Sequence, residues 1–470
     1  MTADLVQKIR EGKVVVPREL MKAEELRAAG ELDEAMRVCS RYMDDHFNDV
    51  PAIVMFAHIM LDAEKIGVAH SLLTLATKLM PNESMLWNDI GICYQEGADL
   101  KEGESAFLKA LHREPNNALA LNNLAQLYNN TGQPLKAINC ADKAIKLDPS
   151  LVEANYNRGL AMLTLGNWKE GWEGYEFNLG KHKGRKERIY GHIPRWTGVN
   201  DCDVVAYGEQ GIGDEISFAS CIPDLMKENR VIIECDKRLS NLFKRSFGVP
   251  VYGTRYAKGI EWPHDHDIDA AVAFGSLPGF YRNTTEAFPG TPYLTADPER
   301  RIQWRALLDS LGPKPKIGIA WTGGLKRTGA ARRSIELEEM MPILRQDATF
   351  ISLQYKDAPE IAALKLDHGI TIHHWPHAVQ TDDYDDTAAL VAELDLVITV
   401  QQTAVHIAGA LGVPCWVMVP KTPLWRYGLT GSTFPWANSV KIYRQKSEWV
   451  HVISDIAYDL RNEVLSKAPK

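Results

Sequence analysis

The residues whose types and spacing could do chemistry begin at the end of a short apolar run, Val204 to Tyr207, where Gly208, Gly211 and Gly213 interrupt the chain and Asp214 follows. From Asp214 the apolar positions Ile216, Phe218, Ala219 and Ile222 recur at helical spacing, so the stretch reads as strand, glycine turn, helix. Glycines let the backbone approach a ligand closely, and a helix start offers unpaired N–H groups and the positive end of a dipole. Gln210, Gly211 and Gly213 would line such a turn, and Asp214 would stand where open α/β sheets hold their ligands. A purely structural reading also fits, in which Asp214 caps the helix. The glycine spacing does not match GxGxxG, so a dinucleotide cofactor is not favoured.

A second group lies between Trp321 and Ser334. Gly323 sits in a glycine-rich stretch that carries Lys326, Arg327, Arg332 and Arg333, a dense positive group in an acidic chain. A diphosphate needs such charge, and arginine can hold it through two parallel N–H bonds; a solvated surface loop is the structural alternative. A third group, Gln401, Gln402 and Thr403, again joins a strand to a helix start that could meet phosphate or sugar hydroxyls. His406 lies one turn further, as a ligand contact or as a packed core histidine. The clusters His264, His266, Asp267, Asp269 and His373, His374, His377 lack the spacing of a standard metal site, and no metal is expected.

These groups need a frame. After residue 203, β-branched runs alternate with helical segments: 231–234, 270–274, 317–321, 349–353, 396–400 and 415–419. Such alternation predicts parallel sheets covered by helices on both faces, with a break near Pro292 that makes two doubly wound halves. Before it the pattern differs. Pro81, Pro115 and Pro149 stand 34 residues apart, and the small residues Ala57, Gly91, Ala125, Gly159 and Ala35, Ala69, Gly103, Ala137, Gly171 follow closely the same step. Small residues let paired helices approach and proline ends the second of each pair, which predicts about four full helical repeats and a partial fifth between roughly 16 and 180. Asn88, Asn122, Asn123 and Asn155 fall near the starts of successive first helices, where they could hydrogen-bond an extended peptide in the groove or simply be solvated. The basic run from Lys181 to Arg188 reads as a linker.

At 470 residues there is room for several domains, and 45% apolar with 24% charged residues is the composition of a globular protein. A net charge of −8 does not suggest bulk binding to nucleic acid. The N-terminus lacks a signal-peptide pattern, and no apolar run is long enough for a membrane span. Seven scattered cysteines without a CxxC pair suggest a reducing, cytoplasmic setting.

With these residues read, the chain resembles bacterial glycosyltransferases in which tetratricopeptide repeats precede a GT-B domain similar to family 9, the heptosyltransferase group. The resemblance rests on Trp196-Thr-Gly, the run from Gly208 to Asp214, Ser276-Leu-Pro, Pro292-Tyr-Leu, Gly318 to Trp321, Arg333-Ser334, Ser352-Leu-Gln354, the run Asp386-Thr387-Ala-Ala-Leu, and Thr403 to Gly412. More distantly the layout is similar to the eukaryotic O-linked N-acetylglucosamine transferases. It implies an α solenoid over 1–180, a first, acceptor-side Rossmann-like domain over 181–298, and a second, nucleotide-sugar-binding domain with a terminal helix over 299–470. It implies inverting, metal-independent transfer from a nucleotide-sugar to an acceptor hydroxyl, without a cofactor, and an acceptor protein or peptide recruited by the repeats. Asp214 falls at the general-base position and Arg333 or Arg332 near the cation of the donor phosphates. Gln354 to Lys356 fall where the nucleoside is met, Gln401 to Thr403 at the phosphate-facing helix. Trp321, Gly323, Lys326, Ser334, Asp386, Thr387 and His406 complete the donor-side set. One departure stands out: the family commonly reads Val-Asp-Thr where this chain has Val400-Gln401-Gln402, so a donor-side carboxylate is replaced by a neutral amide. Other readings are a binding scaffold with a degenerate GT-B half, a transferase acting on a glycan or lipid-linked saccharide, and nucleotide-sugar hydrolysis or epimerisation.

Overall fold

In the N-terminal third, helices come in antiparallel pairs whose first members are α1 (Arg18–Ala28), α3 (Val50–Asp62), α5 (Ser84–Glu96), α7 (Ala118–Asn130) and α9 (Val152–Thr164). Their second members are α2 (Leu32–Asp45), α4 (Ile66–Leu79), α6 (Leu100–Arg113), α8 (Pro134–Leu147) and α10 (Trp168–Glu176). Local sequence sets the ends. Asp99 accepts the Glu102 N–H at 3.2 Å to start α6, and Asn117 accepts the Ala120 N–H at 2.9 Å to start α7. The small residues do what their period implies: Ala35, Ala69, Ala76, Ala110, Ala137 and Ala144 are wholly buried between helices. At Gly91 a methyl group would come within 2.5 Å of the Phe107 ring, so α5 and α6 can meet only over a bare backbone. This N-terminal third is a helical solenoid.

The computed structural model describes residues 17–181, 184–324, 329–356 and 358–467. The chain divides into two units, 1–161 and 162–470, and the division falls within α9.

The second unit holds two all-parallel sheets. The first has the order β3-β2-β1-β4, from β1 (Asp203–Tyr207), β2 (Arg230–Glu234), β3 (Val251–Tyr252) and β4 (Ala270–Ala273). The second has the order β10-β9-β8-β5-β6-β7, from β5 (Lys316–Ala320), β6 (Thr349–Ser352), β7 (Ile372–His373), β8 (Leu396–Val400), β9 (Cys415–Val419) and β10 (Val440–Arg444). Strands β4, β5, β8 and β9 are buried throughout, which is why they read as unbroken apolar runs rather than alternating ones. Register is direct: Val204 pairs with Val231 and Ala270, and Ile319 with Ser352 and Ile398. Two helices that begin straight after strands matter most here, α11 (Ile212–Ala219) after β1 and α12 (Thr403–Leu411) after β8.

Candidate functional site

The turn from β1 to α11 is built by its glycines. A side chain at Gly208 would strike the Glu215 carboxyl at 2.3 Å, so the strand can leave the sheet only as glycine. Asp214, in the first turn of α11, accepts the Gly211 N–H through Oδ2 at 3.2 Å. This is half of a capping box; the other half is absent because glycine has no side chain to return the bond. Capping does not use up the carboxylate. Its Oδ1 lies 2.6 Å from Nη2 of Arg426, and the side chain stays about 30% exposed.

Across from it, α12 begins. A methyl group on Gly213 would lie 3.2 Å from His406 Cδ2 and 3.2 Å from Thr403 Oγ1, so the starts of α11 and α12 meet face to face. Two positive helix ends therefore converge beside Asp214. His406 is partly buried there. Burial first, and then the Arg426 charge, push its imidazole down to about 3, leaving it neutral over the ordinary pH range. Burial likewise lowers Arg333, while the charge of Asp214 acts to raise it. Arg333 Nη1 donates to the Gln401 carbonyl at 2.9 Å. Gly323 lets Arg333 and the Gln401 carbonyl close on it: an added methyl would lie 3.0 Å from Arg333 Cβ and 3.2 Å from that oxygen. Ser334 Oγ accepts the Gly323 N–H at 3.1 Å and donates to Ala330 O at 2.8 Å, tying the cationic stretch to the end of β5.

Asp214, Gly211, Gly213, Gly323, Arg333, Ser334, Gln401, Thr403 and His406 thus come together. Gln354 is buried nearby on Thr322, to which its Nε2 donates. Arg332 and Lys356 are exposed, the latter 5.3 Å from the Tyr355 ring centre. Other expected residues are held by packing. Trp321 is buried and donates to Glu360 at 2.8 Å. Asp386 accepts from Trp304 Nε1 at 2.9 Å, Thr387 donates to Ala378 O at 2.5 Å, and Gln402 donates to Thr399 Oγ1 at 3.2 Å. Gln210 is taken up by Tyr175 and Glu209, at 2.7 and 3.0 Å. Lys326 and Arg327 lie outside the described residues.

Sequence reasoning missed Arg426 and Tyr427, in the connection from β9 to β10. The Arg426 guanidinium lies 4.8 Å from the Phe218 ring centre and 4.5 Å from that of Trp425, which hold it against Asp214. An arginine between two aromatics, Trp425-Arg426-Tyr427, was the available signal.

In the solenoid the asparagines bond to one another. Asn123 donates to Asn88 Oδ1 at 2.8 Å and Asn157 to Asn122 Oδ1 at 2.9 Å, while Asn88 donates to Asp89 at 3.2 Å. His58 Nε2 lies 2.9 Å from Asp89. Polar rungs therefore cross four successive first helices, α3, α5, α7 and α9. Asn155 donates to its own helix, to Leu151 O at 3.4 Å. Both histidine clusters pack on aromatics: His266 meets Tyr252 Oη at 2.7 Å, and His377 stacks on Trp304. Among the described residues no group of three or more His, Cys, Asp or Glu side chains is placed to hold a metal. No helix among them is long and apolar enough to cross a membrane.

The tetratricopeptide repeat family matches residues 106–139. Protein FlbA of Caulobacter vibrioides is 28% identical over 439 residues, 88% of this chain and 73% of that protein. The peroxisomal targeting signal receptor of Candida albicans is 27% identical over 112 residues, 23% of this chain and 19% of that protein. Among solved structures, MamA aligns at 19% identity over 35% of this chain and 94% of its own, with a TM-score of 0.30. YrrB, described as a tetratricopeptide protein with an unusual peptide-binding site, aligns at 17% identity over 37% of this chain and 89% of its own, with a TM-score of 0.27. The N-terminal third is a tetratricopeptide array, a type of scaffold for protein interaction.

Proposed function

We propose that the second unit is a GT-B glycosyltransferase that moves a sugar with inversion from a nucleotide-sugar to an acceptor hydroxyl, and that the array recruits the acceptor, a protein. The observation that carries this is Asp214: a partly exposed carboxylate at the point where the starts of α11 and α12 face each other. In the reaction the acceptor hydroxyl gives its proton to Asp214 as its oxygen attacks the anomeric carbon. The bond from that carbon to the diphosphate oxygen breaks on the opposite face, and one displacement inverts the centre. Arg333, the α12 N–H groups and the exposed Arg332 take up the charge that develops on the leaving diphosphate. Neutral His406 does not contribute charge there.

The test is a thermal-shift screen of the whole chain against UDP, GDP, ADP, CMP, dTDP and their sugar conjugates. A ligand at 100 times its Kd adds about 2.7 kcal/mol to the native state. Asp214→Asn should then abolish turnover with the matching donor while nucleotide binding persists. If no nucleotide raises the melting temperature, the transferase reading fails. A scaffold with a silent catalytic half is then left, the reading favoured by the Asp214–Arg426 ion pair and by the neutral Gln401.

A further inference from the structure

Three buried donors around Asp214 lack acceptors. Arg426 is 7% exposed, and its Nε finds no acceptor among the described residues. Its Nη2 makes the close ion pair with Asp214 without the directionality of a hydrogen bond. Tyr427 is 3% exposed, with a hydroxyl that finds no partner among the described residues. The charges of Arg426, Arg333 and Asp214 all act on that hydroxyl, which burial holds above the ordinary tyrosine range. Gln401 is 0% exposed; its Oε1 receives the Leu424 N–H at 3.4 Å, and its Nε2 finds no acceptor among the described residues. Buried unmatched donors are few in native proteins, and each is unfavourable until something accepts from it. Here they cluster, and the cluster includes a permanent cation. What would satisfy it offers several acceptors and negative charge.

We propose that Arg426, Tyr427 and Gln401 form an oxyanion site that takes the diphosphate of the donor, and that Arg426 exchanges Asp214 for this diphosphate when the donor binds. The inference rests on the transferase reading and deepens it. The connection from β9 to β10 becomes a latch: without donor its arginine occupies the carboxylate, and with donor the same arginine holds the leaving group and frees Asp214 for the acceptor proton. The Gln401 amide then donates its unmatched N–H to the diphosphate. Phe218 and Trp425 keep the guanidinium desolvated, so that the exchange is between two anions rather than between an anion and water.

The experiment is calorimetric titration of the whole chain with inorganic pyrophosphate and with the nucleoside diphosphate that the thermal screen selects. Tyr427→Phe removes one hydroxyl and should weaken both ligands about fivefold. Arg426→Met should weaken them at least tenfold, and Arg426→Lys should recover part of that loss. Asp214→Asn removes the competing anion and should tighten pyrophosphate several-fold, an effect that a merely structural ion pair would not produce. If the nucleotide binds but Arg426→Met and Tyr427→Phe leave its affinity and that of pyrophosphate at the wild-type value, the inference is overturned and the transferase reading stands. If neither ligand binds the wild-type chain, both fall.

Discussion

Gly213 is where the start of α11 packs on the start of α12, and its substitution by alanine separates geometry from stability. The new methyl would lie 3.2 Å from both His406 Cδ2 and Thr403 Oγ1, and 3.5 Å from Thr403 Cα. Those first two contacts are a few tenths of an ångström too short, so the start of α12 must move back by about that much. Overpacking of this kind costs about 1–3 kcal/mol. Replacing glycine by alanine in a helix returns up to about 1 kcal/mol. Net destabilisation should therefore be about 0–2 kcal/mol, a fall in Tm of a few degrees at most for a unit of this size. Ligand affinity should suffer more, because Asp214 and Thr403 are displaced relative to each other: about tenfold for the nucleotide, equal to ~1.4 kcal/mol. Gly67→Ala is the comparison. Nothing lies within 4 Å of a methyl there, so it reports the helix gain alone and should raise Tm slightly. The assay is nucleotide titration alongside thermal unfolding. Wild-type affinity in Gly213→Ala would refute the claim that the facing helix starts set the site, and a collapse of Tm by well over ten degrees would refute the assumed yielding of α12.

Two further outcomes follow from packing and charge. Gly91→Ala forces a methyl to 2.5 Å from Phe107 and should destabilise the array by about 1–3 kcal/mol in urea unfolding; adding Phe107→Leu should restore part of the loss. His406 is neutral in the folded chain down to about pH 3, whereas the unfolded chain protonates it near 6.5. Its contribution to stability is thus complete above 6.5 and is lost as pH falls towards 3, at up to about 1.4 kcal/mol per pH unit. His406→Gln should flatten the dependence of the urea midpoint on pH by one proton between pH 6.5 and 4.5, and an unchanged slope would refute a neutral imidazole.

How much of this was legible in the sequence depends on how local each cause is. The 34-residue step and the glycine turn after Tyr207 are local patterns, and the helix pairs and the β1–α11 junction follow them. The seven apolar runs read as strands correspond to β1, β2, β4, β5, β6, β8 and β9. Strands β3 and β7 are two residues each, too short to carry a period, and β10 alternates Val440, Ile442 with Lys441, Tyr443 at the sheet edge. Arg426 was missed because its meaning lies mainly in distant neighbours: Phe218 and Asp214 are brought to it by a different sheet. Asn88 and Asn122 were expected to face a groove, yet each bonds to an asparagine 35 positions on, one residue beyond the repeat step. A pattern search keyed to the period alone sees equivalent positions, whereas the bond joins two non-equivalent ones.

Those polar rungs have a mechanical consequence. A solenoid without them bends like a stack of plates, each interface sliding on apolar contacts that change little over a fraction of an ångström. Directional bonds from His58 to Asp89, Asn88 to Asn123 and Asn122 to Asn157 convert the stack into a ladder with stiff crosspieces. Stretching or untwisting it must lengthen several of them at once. The inner helices from Val50 to Thr164 should thus behave as one spring with a fixed pitch: a measuring rule that accepts partners matching its spacing, rather than a hinge that adapts to them.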